Sequence, residues 1–189
     1  MTFKVTVILL LFSTVVTGQS LRKPMISLGQ ALVHPLEEVS LPVELSGLEG
    51  EAILHLRLTI QFSAVPLNFV RVEIGDSKST LTIDTNLESE RQDSDTQLES
   101  EIQDPDTQKE EQIATLLLEA ASLEPLSAGT LLELIFEATD EIYESEELVI
   151  KIVEATLTTA DGEQVQELEL EDGTVMISVP FFACLFYMH

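Results

Sequence analysis

The sequence predicts an all-β protein, an antiparallel sandwich or jelly roll of eight or nine short strands. From Glu38 onward apolar and polar residues alternate with period two, the repeat of a strand with one face in a core. The alternating runs are short, and Gly, Pro and Asp-Gly steps punctuate them. Such runs recur along the rest of the chain, which is the pattern of a sandwich rather than of a βαβ protein.

The first element stands outside the domain. Lys4 is followed by an apolar run, Val5 to Val16, and Val16 and Gly18 are small residues ahead of a cut near Gln19. Residues 1–18 are therefore expected to be a secretory signal peptide, too short for a membrane anchor, with a buried first strand as the alternative. The protein is expected to be secreted or held at an extracellular surface, with a domain spanning 24–178. All 34 acids lie beyond residue 18, and the net charge of the 189 residues is −25. A field that negative repels nucleic acid and anionic membrane surfaces, keeps the chain soluble, and favours cations or basic protein surfaces. Cys184 is the only cysteine, so no intrachain disulfide forms and no metal site rests on thiolates.

Within the domain, Val39, Leu41, Val43 and Leu45 alternate with Ser40, Pro42, Glu44 and Ser46, and Pro42 suggests an edge position. After a turn bracketed by Gly47 and Gly50, the run 53–62 ("ILHLRLTIQF") alternates strictly and places His55, Arg57, Thr59 and Gln61 on one face. Further strands are expected at 69–74, 79–83, 113–119, 129–137, 147–157, 165–170 and 173–179. The run 114–123 is rich in Leu and Ala and is also compatible with a helix. Ser145 to Glu147 reads as a loop.

Residues 88–111 hold ten acids, two bases and only Leu98 and Ile102 as hydrophobes, and "DSDTQLESEIQ" is echoed by "DPDTQKEEQI". They read as a solvated insertion between strands. The nearly all-apolar tail 179–189 is too short to span a bilayer, so no membrane span is expected. It reads as a docking patch or an artefact of a truncated chain, with a last strand as the alternative.

Several segments together resemble the cohesin domain, the receptor module that grips dockerin domains in cellulosomes. "ISLGQALVHPLEEVSLPVELSGLEG" is similar to its first hairpin, and "LRLTIQFSAVPLNFVRVEIGD" to the next two strands, with Leu67, Phe69 and Val72 in core positions. "SAGTLLELIFEA" resembles the late strand after a Gly turn, and "IKIVEATLTTADGEQVQELELEDGTVMI" the final hairpin and closing strand. The resemblance covers roughly residues 26–87 and 113–178. One departure is the corner after the second long strand, Phe62-Ser63-Ala64-Val65-Pro66, where the family carries a Tyr-Asp-Pro-like sequence.

The resemblance implies a nine-stranded jelly roll and a non-catalytic binding module whose partner, a dockerin-like domain or another protein, lies across one sheet. Strands 53–62 and 113–119 would contribute to that sheet, with Arg57, Thr59, Gln61, Asp84, Asn86 and Glu119 as partner-binding residues. It also implies that Asp161-Gly162 and Asp172-Gly173 are hairpin turns rather than metal loops. Calcium near Asp161 and Glu163 is the residual metal possibility, since hard cations want clustered oxygens. No EF-hand loop is present, and otherwise no metal or cofactor is expected.

The residues themselves show no catalytic array. His34, His55 and His189 lack metal-ligand spacing, no G-x-S-x-G occurs, and the acids of "QELELED" alternate with hydrophobes toward water. A polysaccharide-binding module on a similar sandwich is one alternative. It would need a row of exposed aromatics, and outside the tail the domain offers only Tyr143, Phe62, Phe69 and Phe136. A structural cell-surface unit is the other.

Overall fold

The computed structural model describes residues 23–48, 52–75, 81–91, 112–140 and 144–180. The expected signal peptide, Tyr143, most of the acidic insertion and residues 181–189 of the tail lie outside them. Among the described residues there are eleven strands and no helix: β1 (Met25–Leu28), β2 (Gln30–Val33), β3 (Glu38–Ser46), β4 (Ile53–Ser63), β5 (Leu67–Ile74), β6 (Leu81–Arg91), β7 (Gln112–Ser122), β8 (Gly129–Ala138), β9 (Glu146–Thr159), β10 (Glu169–Glu171) and β11 (Gly173–Ile177). A five-stranded sheet, β10-β1-β3-β8-β5, faces a six-stranded sheet, β2-β11-β9-β4-β7-β6. This is the expected jelly-roll sandwich.

Eight or nine strands are expected and eleven form, because two short strands, β1 and β2, precede the alternation that begins at Glu38. They make one run through both sheets, as β10 and β11 do near the other end of the domain. β1 and β10 pair in parallel in one sheet, and β2 and β11 pair in parallel in the other. The two runs therefore cross between sheets side by side, at Gly29 and at Asp172-Gly173. Gly29 N–H donates to Pro42 O at 2.9 Å, and Thr174 N–H donates to Gly29 O at 3.2 Å.

Asp172-Gly173 is accordingly not a hairpin turn, and the expectation of one is corrected. Gly173 is needed for close approach: a Cβ there would stand 2.6 Å from Leu28 Cβ and 2.8 Å from Gly29 O. Asp172 has its own task, since its Oδ1 accepts from Ile152 N–H at 2.8 Å and caps a β9 donor where the last strand changes sheets. Asp172→Ala is expected to cost about 1–2 kcal/mol, the penalty of a part-buried N–H left without its charged acceptor. Urea unfolding should show that loss, with Asp172→Asn recovering part of it.

The other Asp-Gly step is a turn as expected. Gly162 N–H donates to Thr159 O at 3.0 Å and Thr159 N–H to Glu163 O at 2.9 Å, with Gly162 at φ +82°. Only glycine holds that backbone without steric penalty.

Alternation builds the core. Leu41, Val43, Leu58, Ile60, Leu116, Leu118, Leu132, Leu134, Ile150 and Leu157 are fully buried between the sheets. Phe136 sits at the centre, edge-on to Phe62 at 5.1 Å and to Phe69 at 5.9 Å between ring centroids. Leu67 is buried, and Phe69 and Val72 pack against the core at its margin.

The helical alternative for 114–123 fails. Ala114, Leu116, Leu118 and Ala120 alternate into the core along β7, so burial with period two overrides the helix propensity of Leu and Ala. Ser145–Glu147 is in part strand, because β9 begins at Glu146, and the stretch 165–170 shrinks to β10 plus a bridge between Thr158 and Gln164. The first four residues of the expected insertion, 88–91, continue β6.

Pro42 lies in an interior strand yet at a local edge. β1 leaves the sheet after Leu28, opposite Val43, so on that side no ladder donor is missed at Pro42. Val70 and Val153, both exposed, are the extra residues of bulges that shift register between Phe69 and Arg71 and between Thr59 and Ile60. The divergent corner at Val65-Pro66 is held without an aspartate: Thr139 Oγ1 donates to Val65 O at 3.0 Å and Thr139 N–H to Pro66 O at 3.1 Å.

Candidate binding face

The outer face of the six-stranded sheet collects all six residues singled out as partner contacts. They come from three strands, and register makes them neighbours. β4 pairs with β7, and β7 with β6, so Arg57, Glu119 and Asp84 form one row across the sheet. Thr59, Leu117 and Asn86 form the next row, and Gln61, Thr115 and Glu88 the third. On the other side of β4, strand β9 extends the rows with Thr156, Glu154 and Lys151.

Polar contacts run within and between these rows. Arg57 Nε meets Glu119 Oε1 at 3.4 Å, both side chains more than half exposed. Gln61 Nε2 donates to Thr115 Oγ1 at 3.4 Å, and Asn86 Nδ2 to Glu88 Oε1 at 3.3 Å. An ion pair that exposed contributes at most about 1 kcal/mol to stability, so these side chains are available for a partner at little cost to the fold.

The row of Arg57 borders an open depression of about 400 Å³. Ala121, Thr82, Thr156 and Thr158 are short and form its floor and rim, while His55, Arg57, Asp84, Glu119 and Gln164 stand around it. His55, Thr82, Thr156, Thr158 and Gln164 were not among the six. The alternation did place His55 on the right face. Thr156 and Thr158 carried no such signal, because β9 meets β4 only through pairing across about a hundred residues of sequence.

Elsewhere the polar side chains serve the fold. His34 Nδ1–H donates to Ser178 O at 2.7 Å; a carbonyl can only accept, which fixes that tautomer. On the outer face of the five-stranded sheet, Arg71 bridges Glu73 at 2.7 Å and Glu38 at 3.0 Å, and hydrogen bonds to these two carboxylates hold its guanidinium pKa above the ordinary value. Asp161 and Glu163 are exposed on their turn, and among the described residues no three of His, Cys, Asp or Glu gather where they would share an ion. Among the described residues, no helix is long and apolar enough to cross a membrane.

By sequence, the chain matches no protein-family model and no curated protein. By structure, it matches the sixth cohesin of scaffoldin B from Acetivibrio cellulolyticus, solved in complex with a dockerin, with a TM-score of 0.58 at 14% identity, covering 83% of this chain and 100% of that one. The fold is that of cohesin modules. A non-cellulosomal cohesin from the archaeon Archaeoglobus fulgidus matches at 0.54 and 17% identity, covering 82% of this chain and 91% of that one. The cohesin module of a family 33 glycoside hydrolase from Clostridium perfringens matches at 0.51 and 13%, with 83% and 95% covered. At these identities the likeness is one of fold.

Proposed function

We propose that this chain is a secreted interaction module that holds a protein partner, of dockerin type, across the outer face of β6, β7, β4 and β9. The observation that carries the reading is the assembly of Arg57, Thr59, Gln61, Asp84, Asn86 and Glu119 into adjacent rows of one exposed sheet face. A flat face of this kind, with donors and acceptors interleaved, suits a folded partner surface better than a small molecule. The cohesin of scaffoldin B was solved with a dockerin, which supports the choice of partner class. The net charge of −25 adds attraction for a basic surface.

The polysaccharide-binding alternative has less support. Phe62, Phe69 and Phe136 pack on one another inside the sandwich and offer no stacking platform. A structural cell-surface role remains the third reading.

The test is retention of proteins from the native secretome on the immobilised chain, with and without calcium, identified by mass spectrometry. A dockerin-bearing protein is expected on the wild-type column. The double variant Arg57→Glu, Thr59→Arg is expected to lose at least about tenfold in affinity, roughly 1.4 kcal/mol, while its unfolding midpoint stays put. Retention of the same protein by that variant would remove this face from the interaction. Retention of the chain on insoluble polysaccharide, with no protein captured, would replace the reading with the carbohydrate module.

A further inference from the structure

The four sheet edges are not alike. β10 has three residues and β2 four, too short to template a further strand. β5 has eight, but the bulge at Val70 breaks its ladder, and Arg71 ties its outer side to Glu38. Short length and bulges are the usual guards on sheet edges. β6 lacks both. Its eleven residues pair with β7 in one unbroken register from Leu81 to Arg91, and among the described residues nothing pairs with its other side.

The side chains of β6 describe what would fit there. Leu81 and Ile83 point into the sandwich, and the same parity carries Thr85 and Leu87, which are nevertheless exposed, Leu87 by 47%. An added strand would bring its own inward residues beside Leu87 and cover it. The opposite parity carries Asp84, Asn86 and Glu88, all exposed. A second copy of this chain is a poor occupant, because two β6 edges would set Asp84 and Glu88 against the same acids, each chain already at −25.

We propose that the free edge of β6 takes up an extended segment of a protein partner in which apolar residues alternate with lysine or arginine, adding a seventh strand to the sheet. Main-chain hydrogen bonds would hold the segment, and the alternation would set its register and facing. The inference differs from the binding-face reading in using the backbone edge and Leu87, and it shares with that reading only Asp84 and Glu88.

The probe is a fluorescent nonapeptide of alternating lysine and valine, titrated against the full chain by anisotropy. Two further versions carry N-methyl groups on alternate residues, one version along each edge of the peptide. The parent is expected to bind, one methylated version to bind at least roughly tenfold more weakly because it cannot complete the ladder, and the other to bind like the parent. Glu88→Lys and Leu87→Thr, each checked for an unchanged melting curve, are both expected to weaken the parent peptide severalfold. Failure of the parent to bind would overturn the proposal. Equal binding of all three peptides would also overturn it, since charge attraction needs no donors. Self-association of the chain that Leu87→Thr abolishes would put a second copy on this edge instead.

Discussion

Phe136→Ala is expected to lower the melting temperature by roughly 10 °C or more, from a loss of about 3–5 kcal/mol. Phe136 is fully buried and is the shared partner of two edge-to-face contacts, with Phe62 on β4 of one sheet and Phe69 on β5 of its own. Its removal leaves a hole that neither sheet can close, because both are pinned by their ladders on either side. Phe136→Leu keeps most of the volume and should lose clearly less. Calorimetry on the three proteins checks the order. A loss for Phe136→Ala near that of an exposed substitution would mean that the two sheets do not meet through this ring.

Gly173→Ala is the smallest possible change with a large expected effect. One methyl would have to fit 2.6 Å from Leu28 Cβ, an atom fixed to its backbone, and 2.8 Å from Gly29 O. Neither neighbour is the far end of a flexible side chain, so the crossing itself must shift. The expected cost is about 2–3 kcal/mol, typical of overpacking a core. Gly162→Ala makes a useful contrast, since it has open space around it but a φ of +82°, and about 1–2 kcal/mol is expected there from backbone strain alone. Equal losses at the two sites in denaturant unfolding would show that the crossing tolerates a Cβ.

Much of this architecture was legible because alternation survives the events that shape it. Strands β3, β4 and β8 follow directly from their period-two patterns, and the faces of Arg57, Thr59 and Gln61 follow from β4. Asp84, Asn86 and Glu119 were chosen from the likeness to cohesins, and the register of β6 and β7 sets them on the same sheet face as Arg57. The changes of sheet at Gly29 and Gly173 were not legible. The inward parity changes at each crossing, from Ile26 and Leu28 on β1 to Ala31 and Val33 on β2, and such a break reads as a turn rather than as a change of sheet. The bulges at Val70 and Val153 were hidden for a similar reason: an extra residue looks like a fault in the alternation until its partner strand is known. The rim of the depression was out of reach as well, because Thr156 and Thr158 matter only once β9 is known to lie against β4.

The parallel pairing of the first and last runs has a mechanical consequence. Met25 lies beside Glu169 and Val33 beside Ile177, so the two runs point the same way through both sheets. A tug that draws residue 23 away from residue 180 acts along neighbouring strands in opposite senses. The rungs of both parallel ladders then share the load in shear and must give way together rather than peel one after another. A sandwich pulled through these two runs is thereby braced along the line of the pull.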